Sequence, residues 1–323
     1  MTLATKKIVV RIKDVDKRLD IFVAERLKTT RSQAQKLIKE GSIFIDDNVV
    51  TKPNTKIKKE YKIKIVPKIV ESGSQKTESQ ELPHIEVISE TDTYAVINKP
   101  AGLLVHPTEA EETITLAAWI EKEYPKTKKV GDNPKIRPGI VHRLDKDASG
   151  LLVIAKTQKM FLHLKKQFQE RTVLKEYSVL IYGVPDTNHE SIDFDIDRGK
   201  DGRMVSRPKT DKFSLKTVDK IQPGKKALTE FWIEKSFVRF TLLKVKIHTG
   251  RTHQIRVHMF AYNHPVVGDK LYVNRNLIKK TEQKLDRLFL HAKKLCFKDL
   301  NNEEVCFEKD IPDELKNFMS KLT

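Results

Sequence analysis

Gly139-Ile-Val-His142-Arg143-Leu-Asp145-Lys146-Asp147-Ala-Ser149-Gly150 runs directly into Leu151-Leu-Val-Ile-Ala155. Five ionisable groups fall within the six residues His142 to Asp147, and an unbroken apolar run follows. So short an apolar run, opened by glycine, reads as a strand covered on both faces. A charged loop at the mouth of such a strand either faces solvent or hosts a site. A second dense cluster decides between these readings. It is His248-Thr-Gly250-Arg251-Thr-His253-Gln254-Ile-Arg256-Val-His258, where a strand ends in a Thr-Gly turn and a helix begins. Thr252 is the expected cap of that helix, whose free N–H groups favour an anion. His253 and Arg256 then share a helical face.

Outward from these clusters the elements alternate irregularly. Tyr94–Asn98, Glu176–Tyr182 and the two halves of Phe231–Ile247 read as strands, the last pair turning near Lys235-Ser236. Phe161–Phe168 and Thr252–Tyr262 read as helices, and Leu290–Phe307 as a closing hairpin. Strands dominate without a regular βαβ series, which predicts an α+β fold on a mixed or antiparallel sheet. Cys296 and Cys306 lie in that last hairpin and are expected to be reduced core thiols.

The first segment is organised differently. Asp20–Leu27 places Ile21, Ala24 and Leu27 on one helical face. Ser32 is the expected cap of a second helix that ends at Gly41. Ile43–Ile45 and Val49-Val50 form a predicted hairpin, and Tyr61–Val66 a half-exposed strand. Arg18, Arg26, Arg31, Lys36 and Lys39 gather around the helix pair. Between the two parts, Glu71–Gln80 is polar and without apolar period, so residues 67–84 read as a flexible linker. The expected boundaries are 1–66, 67–84 and 85–323, with the first part mobile until a partner binds.

The chain has 323 residues and a net charge of +18. Residues 1–65 hold 17 Lys+Arg against 8 Asp+Glu, so half the excess sits in about a fifth of the chain. That concentration favours an anionic partner, nucleic acid first. No apolar run approaches the roughly 20 residues of a spanning helix, and the first 30 residues lack a secretory apolar core. A cytoplasmic protein without membrane association is expected. Walker, Rossmann and Gly-x-Ser-x-Gly motifs are absent, as is the zinc deaminase signature. His142, Asp145 and Asp147, or His253 and His258, could ligate a divalent ion. The arginines in each cluster oppose it, and no metal is expected.

Two resemblances emerge from these residues. Arg18-Leu19-Asp20, Arg31-Ser32 and Gly41 with its following strand resemble an S4 domain, a small αL-type RNA-binding module. His142-Arg143-Leu144-Asp145 with Ser149-Gly150, Lys175-Glu-Tyr177, and Thr249–Arg256 resemble the RluA-type pseudouridine synthases. Asn98-Lys99-Pro100-Ala-Gly102, Val105-His106-Pro107 and Leu290-His291-Ala292 resemble the same family, and the match runs over about 85–312. With the S4-like part in front, the chain is most similar to the RluD-like enzymes of large-subunit ribosomal RNA. Ala148 departs from the pattern, where members usually carry Thr, and little loss of activity is expected from it.

The resemblance implies a catalytic domain with a mixed, mostly antiparallel sheet, and an isomerisation of uridine to pseudouridine without cofactor. It implies Asp145 as the essential carboxylate, Arg256 as the cation that keeps it ionised, and Tyr177 as the active-site aromatic. Arg143 would fill the space left by a flipped-out base. Arg251 and His253 would hold phosphate or the aspartate loop, and Lys99 and His106 the cleft rim. Arg18, Arg31, Lys36 and Lys39 would grip phosphates. Large-subunit ribosomal RNA or its precursor is the expected partner and a monomer the expected state. A transfer-RNA synthase and a non-catalytic ribosome-assembly factor are the alternatives.

Overall fold

The computed structural model describes residues 6–10, 14–27, 29, 31–59, 61–66, 82–107, 112–199, 202–207, 224–279 and 284–322. The chain divides into two compact units, Met1–Gln80 and Glu81–Thr323. Most of the expected linker, residues 67–81, lies outside the described residues.

In the first unit, β1 (Lys6–Val9) is followed by α1 (Leu19–Leu27), α2 (Arg31–Lys39), β2 (Ile43–Ile45), β3 (Asn48–Val49) and β4 (Lys62–Ile65). The strands form an antiparallel sheet in the order β1-β4-β2-β3. Leu19, Phe22 and Val23 of α1 and Ala34 and Ile38 of α2 pack on Ile43, Ile45, Ile63 and Ile65. Both helices form at the predicted positions, but α1 buries Leu19, Phe22 and Val23, while the expected face of Ile21, Ala24 and Leu27 is only half-buried. The α2 cap is a correction: the helix already begins at Arg31, so Ser32 lies inside its first turn.

The second unit opens with β5 (Glu86–Glu90), β6 (Tyr94–Lys99), α3 (Leu116–Glu123), β7 (Ser149–Ala155) and α4 (Gln158–Glu170). Next come β8 (Leu174–Tyr182), β9 (His189–Ile192), β10 (Asp195–Arg198), β11 (Met204–Arg207), β12 (Thr229–Ser236) and β13 (Phe240–Ile247). It closes with α5 (Gln254–Ala261), β14 (Leu290–Lys298), β15 (Glu304–Glu308) and α6 (Asp313–Met319). Nine strands pair in the order β5-β6-β7-β14-β8-β13-β12-β9, with β15 on β14. The β7–β14 pairing is parallel and the others are antiparallel, so the sheet is mixed and mostly antiparallel.

All seven residues of β7 are buried. Leu152 and Ile154 point into one apolar cluster, and Leu151, Val153 and Ala155 into the other. The unbroken apolar run therefore reflects a central strand with a core on each face. Leu152→Ala would cost about 2–5 kcal/mol. Helix α4 covers one of these faces with Met160, Phe161 and Leu164, its first turn capped by the Thr157 hydroxyl, which accepts the Met160 N–H at 3.2 Å.

The cysteine expectation fails. Residues 296 and 306 stand directly opposite in the β14–β15 register with Cα atoms 4.1 Å apart, and their sulfurs are joined in a disulfide. The short Asp299–Glu303 turn sets that register, since Asp299 N–H donates to the Glu303 carbonyl at 2.9 Å. Hairpin pairing, rather than composition, decided the contact.

Candidate active site

The charged loop ahead of β7 is pinned from three sides. Leu144 and Ala148 are buried, anchoring it on the core, and Ala148 N–H donates to the Asp145 carbonyl at 3.2 Å. The Lys146 carbonyl accepts Gly102 N–H at 2.8 Å and the Lys99 ammonium at 3.1 Å. Lys99 also donates to the carbonyls of Pro100 (2.7 Å) and Leu103 (2.8 Å). Burial pushes this amine down to about 7, partly opposed by the negative charge of Asp145. Three carbonyl acceptors nevertheless suit the three donors of the ammonium form. Lys99 is thus fully buried beneath the loop, not on the cleft rim. On the other flank, the Ser149 hydroxyl pairs with His291 Nδ1 at 2.9 Å and accepts from Arg287 at 2.7 Å.

Gly150 ends the loop for a steric reason. Its φ is +115°, and a Cβ there would lie 2.4 Å from the Ala292 carbonyl oxygen. The parallel β7–β14 pairing begins at this point, so the loop leaves the sheet with no room for a side chain.

Asp145 is held at the mouth of the sheet, facing α5. Arg256 Nη1 donates to Asp145 Oδ2 at 3.3 Å. The same guanidinium donates from Nε and Nη2 to both oxygens of Asp269, at 2.7 and 2.9 Å. Asp269 is wholly enclosed, and its Oδ1 also accepts the N–H groups of Leu271 and Tyr272. Burial alone would lower the affinity of Arg256 for its proton, but the two carboxylates outweigh it and raise it. The Tyr272 ring lies 5.2 Å from this guanidinium, and its hydroxyl bonds His253 Nδ1 at 3.0 Å. Tyr177, buried in β8, lines the same cavity of about 90 Å³ as Asp145. Burial, reinforced by the charge of Asp145, raises its phenol above the ordinary tyrosine value.

The structure brings Asp145, Tyr177, Arg143, Arg251 and His253 together around that cavity, with Arg256 directly behind Asp145. Arg251 Nε donates to the Lys226 carbonyl at 3.1 Å. Helix α5 starts at Gln254 with His253, not Thr252, in the capping position. The reason is Gln254: its amide oxygen accepts from Thr249 and from Arg251 N–H, folding the loop back before the helix can begin. His106 lines an adjoining larger cavity. His142, central to the motif, is half-buried on the wall of that larger cavity, where it supports the loop. Its Nε2 accepts Val153 N–H at 3.0 Å and its ring stacks on Phe168. Burial, with the charge of Lys175, pushes it down to about 3.

In the first unit, Arg18 and Arg31 both converge on buried Asp20, each at 3.0 Å, joined by Gln35 at 2.6 Å. Burial would raise the Asp20 carboxyl, but the hydrogen bonds of Arg18, Gln35 and Arg31 hold it well below the usual range. Arg31 is exposed and Arg18 half-exposed, and both keep donors for a partner. Lys39 is exposed at the end of α2, whereas the side chain of Lys36 lies outside the described residues. Among the described residues, no group of His, Cys, Asp and Glu could hold a metal ion.

Asp269 is the residue that sequence reasoning missed. Its one local signal is Gly268-Asp269 with Tyr272 just past the His264-Pro265 helix stop, and nothing in that stretch announces a partner thirteen residues upstream.

With this geometry in hand, the comparisons are decisive. Residues 93–261 match the RNA pseudouridylate synthase family, and residues 17–63 match the S4 domain. The chain belongs to the RNA pseudouridylate synthase family. A ribosomal large subunit pseudouridine synthase D of Vibrio cholerae is 33% identical over 95% of this chain and 91% of its own. An uncharacterised RNA pseudouridine synthase of Aquifex aeolicus is 37% identical over 81% of this chain and 78% of its own. The solved human RNA pseudouridylate synthase domain containing 1 shares the fold, with TM-score 0.58 and 24% identity over 74% of this chain and 88% of its own. This pseudouridine synthase has an S4 domain in front, and no helix among the described residues is long and apolar enough to cross a membrane.

Proposed function

We propose that this synthase converts specific uridines of large-subunit ribosomal RNA to pseudouridine in the cytoplasm, with Asp145 as the essential residue. The observation that carries the reading is the Asp145 carboxylate, held at 3.3 Å by Arg256 in a small cavity shared with Tyr177. The similarity to the large-subunit enzymes over nearly the whole chain supports the substrate.

The target uridine is flipped from its stack into this cavity, and Arg143 takes its place among the neighbouring bases. As the N1–C1′ bond breaks, Asp145 takes the C2′ proton, leaving a glycal-like sugar and a uracil anion. The uracil turns and C5 bonds to C1′ while Asp145 returns the proton to C2′. The proton on C5 then leaves and N1 gains one, so the reaction is an isomerisation that consumes nothing. Tyr177 stacks on the uracil. Its raised phenol stays protonated, so its hydroxyl enters as a donor or relay and not as a resting base. Arg251 and His253 steady the phosphate side of the nucleotide. Arg18, Arg31, Lys36 and Lys39 bind RNA backbone through the S4 unit, residues 1–66, and the chain acts as a monomer.

Purified protein, with EDTA present, is incubated with unmodified large-subunit ribosomal RNA, and pseudouridines are mapped by carbodiimide labelling and primer extension. Discrete new stops are expected for the native chain and none for Asp145→Asn. Stops only on transfer RNA would overturn the substrate, and stops surviving in Asp145→Asn would overturn the residue.

A further inference from the structure

A second cavity of about 430 Å³ adjoins the one beside Asp145, sharing Arg143, Tyr177, Gly250 and Arg251 with it. Five cations line it: Arg137, Arg143, Arg171, Lys175 and Arg251. Among the described residues, no acidic side chain does. Arg137, Arg143, Arg171 and Lys175 form no ion pair among the described residues, whereas half-buried Lys165 and exposed Lys166 on α4 each have a carboxylate partner. Unneutralised charges crowded around one concavity repel each other and focus a field that attracts an anion.

Two further observations mark the far wall as built for this. Arg171 ends α4 with φ +61°, a left-handed conformation in which helices ordinarily use glycine, so a long cation stands where the backbone would favour no side chain. Lys175 is half-buried, with its ammonium 5.7 Å from the Phe168 ring and no ion pair among the described residues. Burial, followed by the charge of Arg171, pushes that amine down to about 8. A phosphate would relieve both effects.

Resting on the proposed reading of the Asp145 cavity, we infer that this second cavity is a subsite for the RNA strand next to the flipped uridine. Arg171, Lys175 and Arg137 grip its backbone phosphates. The strand leaves the target pocket past Arg143 and continues along these cations. This wall holds the neighbouring phosphodiesters in register, so that only one uridine is presented to Asp145. Lys175 and Arg171 are positioning residues here, and they touch the backbone and not the reacting base.

The test uses the full chain and a fluorescein-labelled single-stranded RNA oligonucleotide containing uridine, with affinity read by anisotropy over a salt series. Each phosphate contact to single-stranded nucleic acid contributes about 0.7 to the slope of log affinity against log salt. Lys175→Gln combined with Arg171→Gln is expected to lower that slope by about 1.4, with affinity falling at least tenfold at low salt. Lys175→Arg should restore the Lys175 share. Lys166→Gln, on the outer face of α4, should leave the slope unchanged. An unchanged slope in the double variant, or an equal drop in Lys166→Gln, would overturn the subsite. Pseudouridine formation at saturating RNA should keep its maximal rate in the double variant while the KM rises. The binding readout needs no turnover, so an inactive native chain on ribosomal RNA would defeat the substrate reading and leave the slope comparison standing.

Discussion

Asp269 grips Arg256 through two charged hydrogen bonds, 2.7 and 2.9 Å, and leaves one guanidinium nitrogen to reach Asp145 at 3.3 Å. The arginine is thereby aimed by a carboxylate that no solvent reaches. Asp269→Asn keeps the shape but removes the charge and one acceptor. Misplacing a supporting group by about 1 Å can cost on the order of 10²-fold in rate. Pseudouridine formation should therefore fall about 10²-fold, with RNA affinity unchanged. The melting temperature should also fall, because losing one partner of a buried pair costs up to about 3–5 kcal/mol. Single-turnover assays with parallel binding curves check this, and full activity in Asp269→Asn would refute the aiming role.

Tyr177→Phe separates stacking from proton handling. The ring stays in β8, so packing and stability should hold. The lost hydroxyl should cost about 10²–10⁴-fold in turnover, the range of a positioned acid–base group. RNA affinity and melting temperature should match the native chain. If turnover also matches, Tyr177 is only an aromatic wall.

The sheet's centre was legible because burial on both faces leaves a continuous apolar run, as in Leu151–Ala155, and because glycine marks the tight crossing at Gly150. The site was legible because polar groups cluster locally in His142–Asp147 and His248–His258. What escaped had no local signature. Strand β5 is an edge strand of mostly exposed or half-exposed residues, so its Glu-Val-Ile-Ser-Glu pattern shows no alternation toward a core. Lys99 looks like a surface cation until three backbone carbonyls enclose it. Asp269 is read as loop until folding places it on Arg256. Long-range pairing of a single residue leaves no periodicity, and composition sets no register, as the Cys296–Cys306 pair shows.

Acid should destabilise the catalytic unit through neutral histidines. His258 and His291 are fully buried, and burial pushes each down to about 4. Each donates Nε2–H to a carbonyl, Phe194 and Lys309, and accepts a hydroxyl at Nδ1, from Thr229 and Ser149. Unfolded histidine takes its proton near 6.5, so between about 4 and 6.5 the unfolded chain binds more protons. Stability is full above that window and is lost as pH falls through it. At pH 5 each histidine should cost about 2 kcal/mol relative to neutral pH. Circular-dichroism melts from pH 7 to 5 check this, and a flat melting temperature would sink it.

Asp20 should decide whether the S4 unit can hold RNA. Its buried carboxylate, on α1, gathers Arg18 from just ahead of that helix and Arg31 and Gln35 from α2, and so ties α1 to α2. The arginines meet at one point only because that charge is there, since two guanidinium groups would otherwise repel. Asp20→Asn leaves one acceptor oxygen for five N–H donors, and breaking such a buried pair costs about 3–5 kcal/mol. A unit this small has little stability to spare. The variant should therefore lose S4 order, become protease-sensitive before residue 66, and bind ribosomal RNA at least tenfold more weakly. The second unit has its own core, so its melting transition should remain. The carboxyl sits well below the usual range, so its contribution is present above about pH 4 and lost as pH falls below that. Exposed Arg31→Gln, by contrast, should keep the fold and reduce the salt slope of binding by about 0.7–0.9. If Asp20→Asn binds RNA as the native chain does, the carboxylate is dispensable and the arginines hold their places without it.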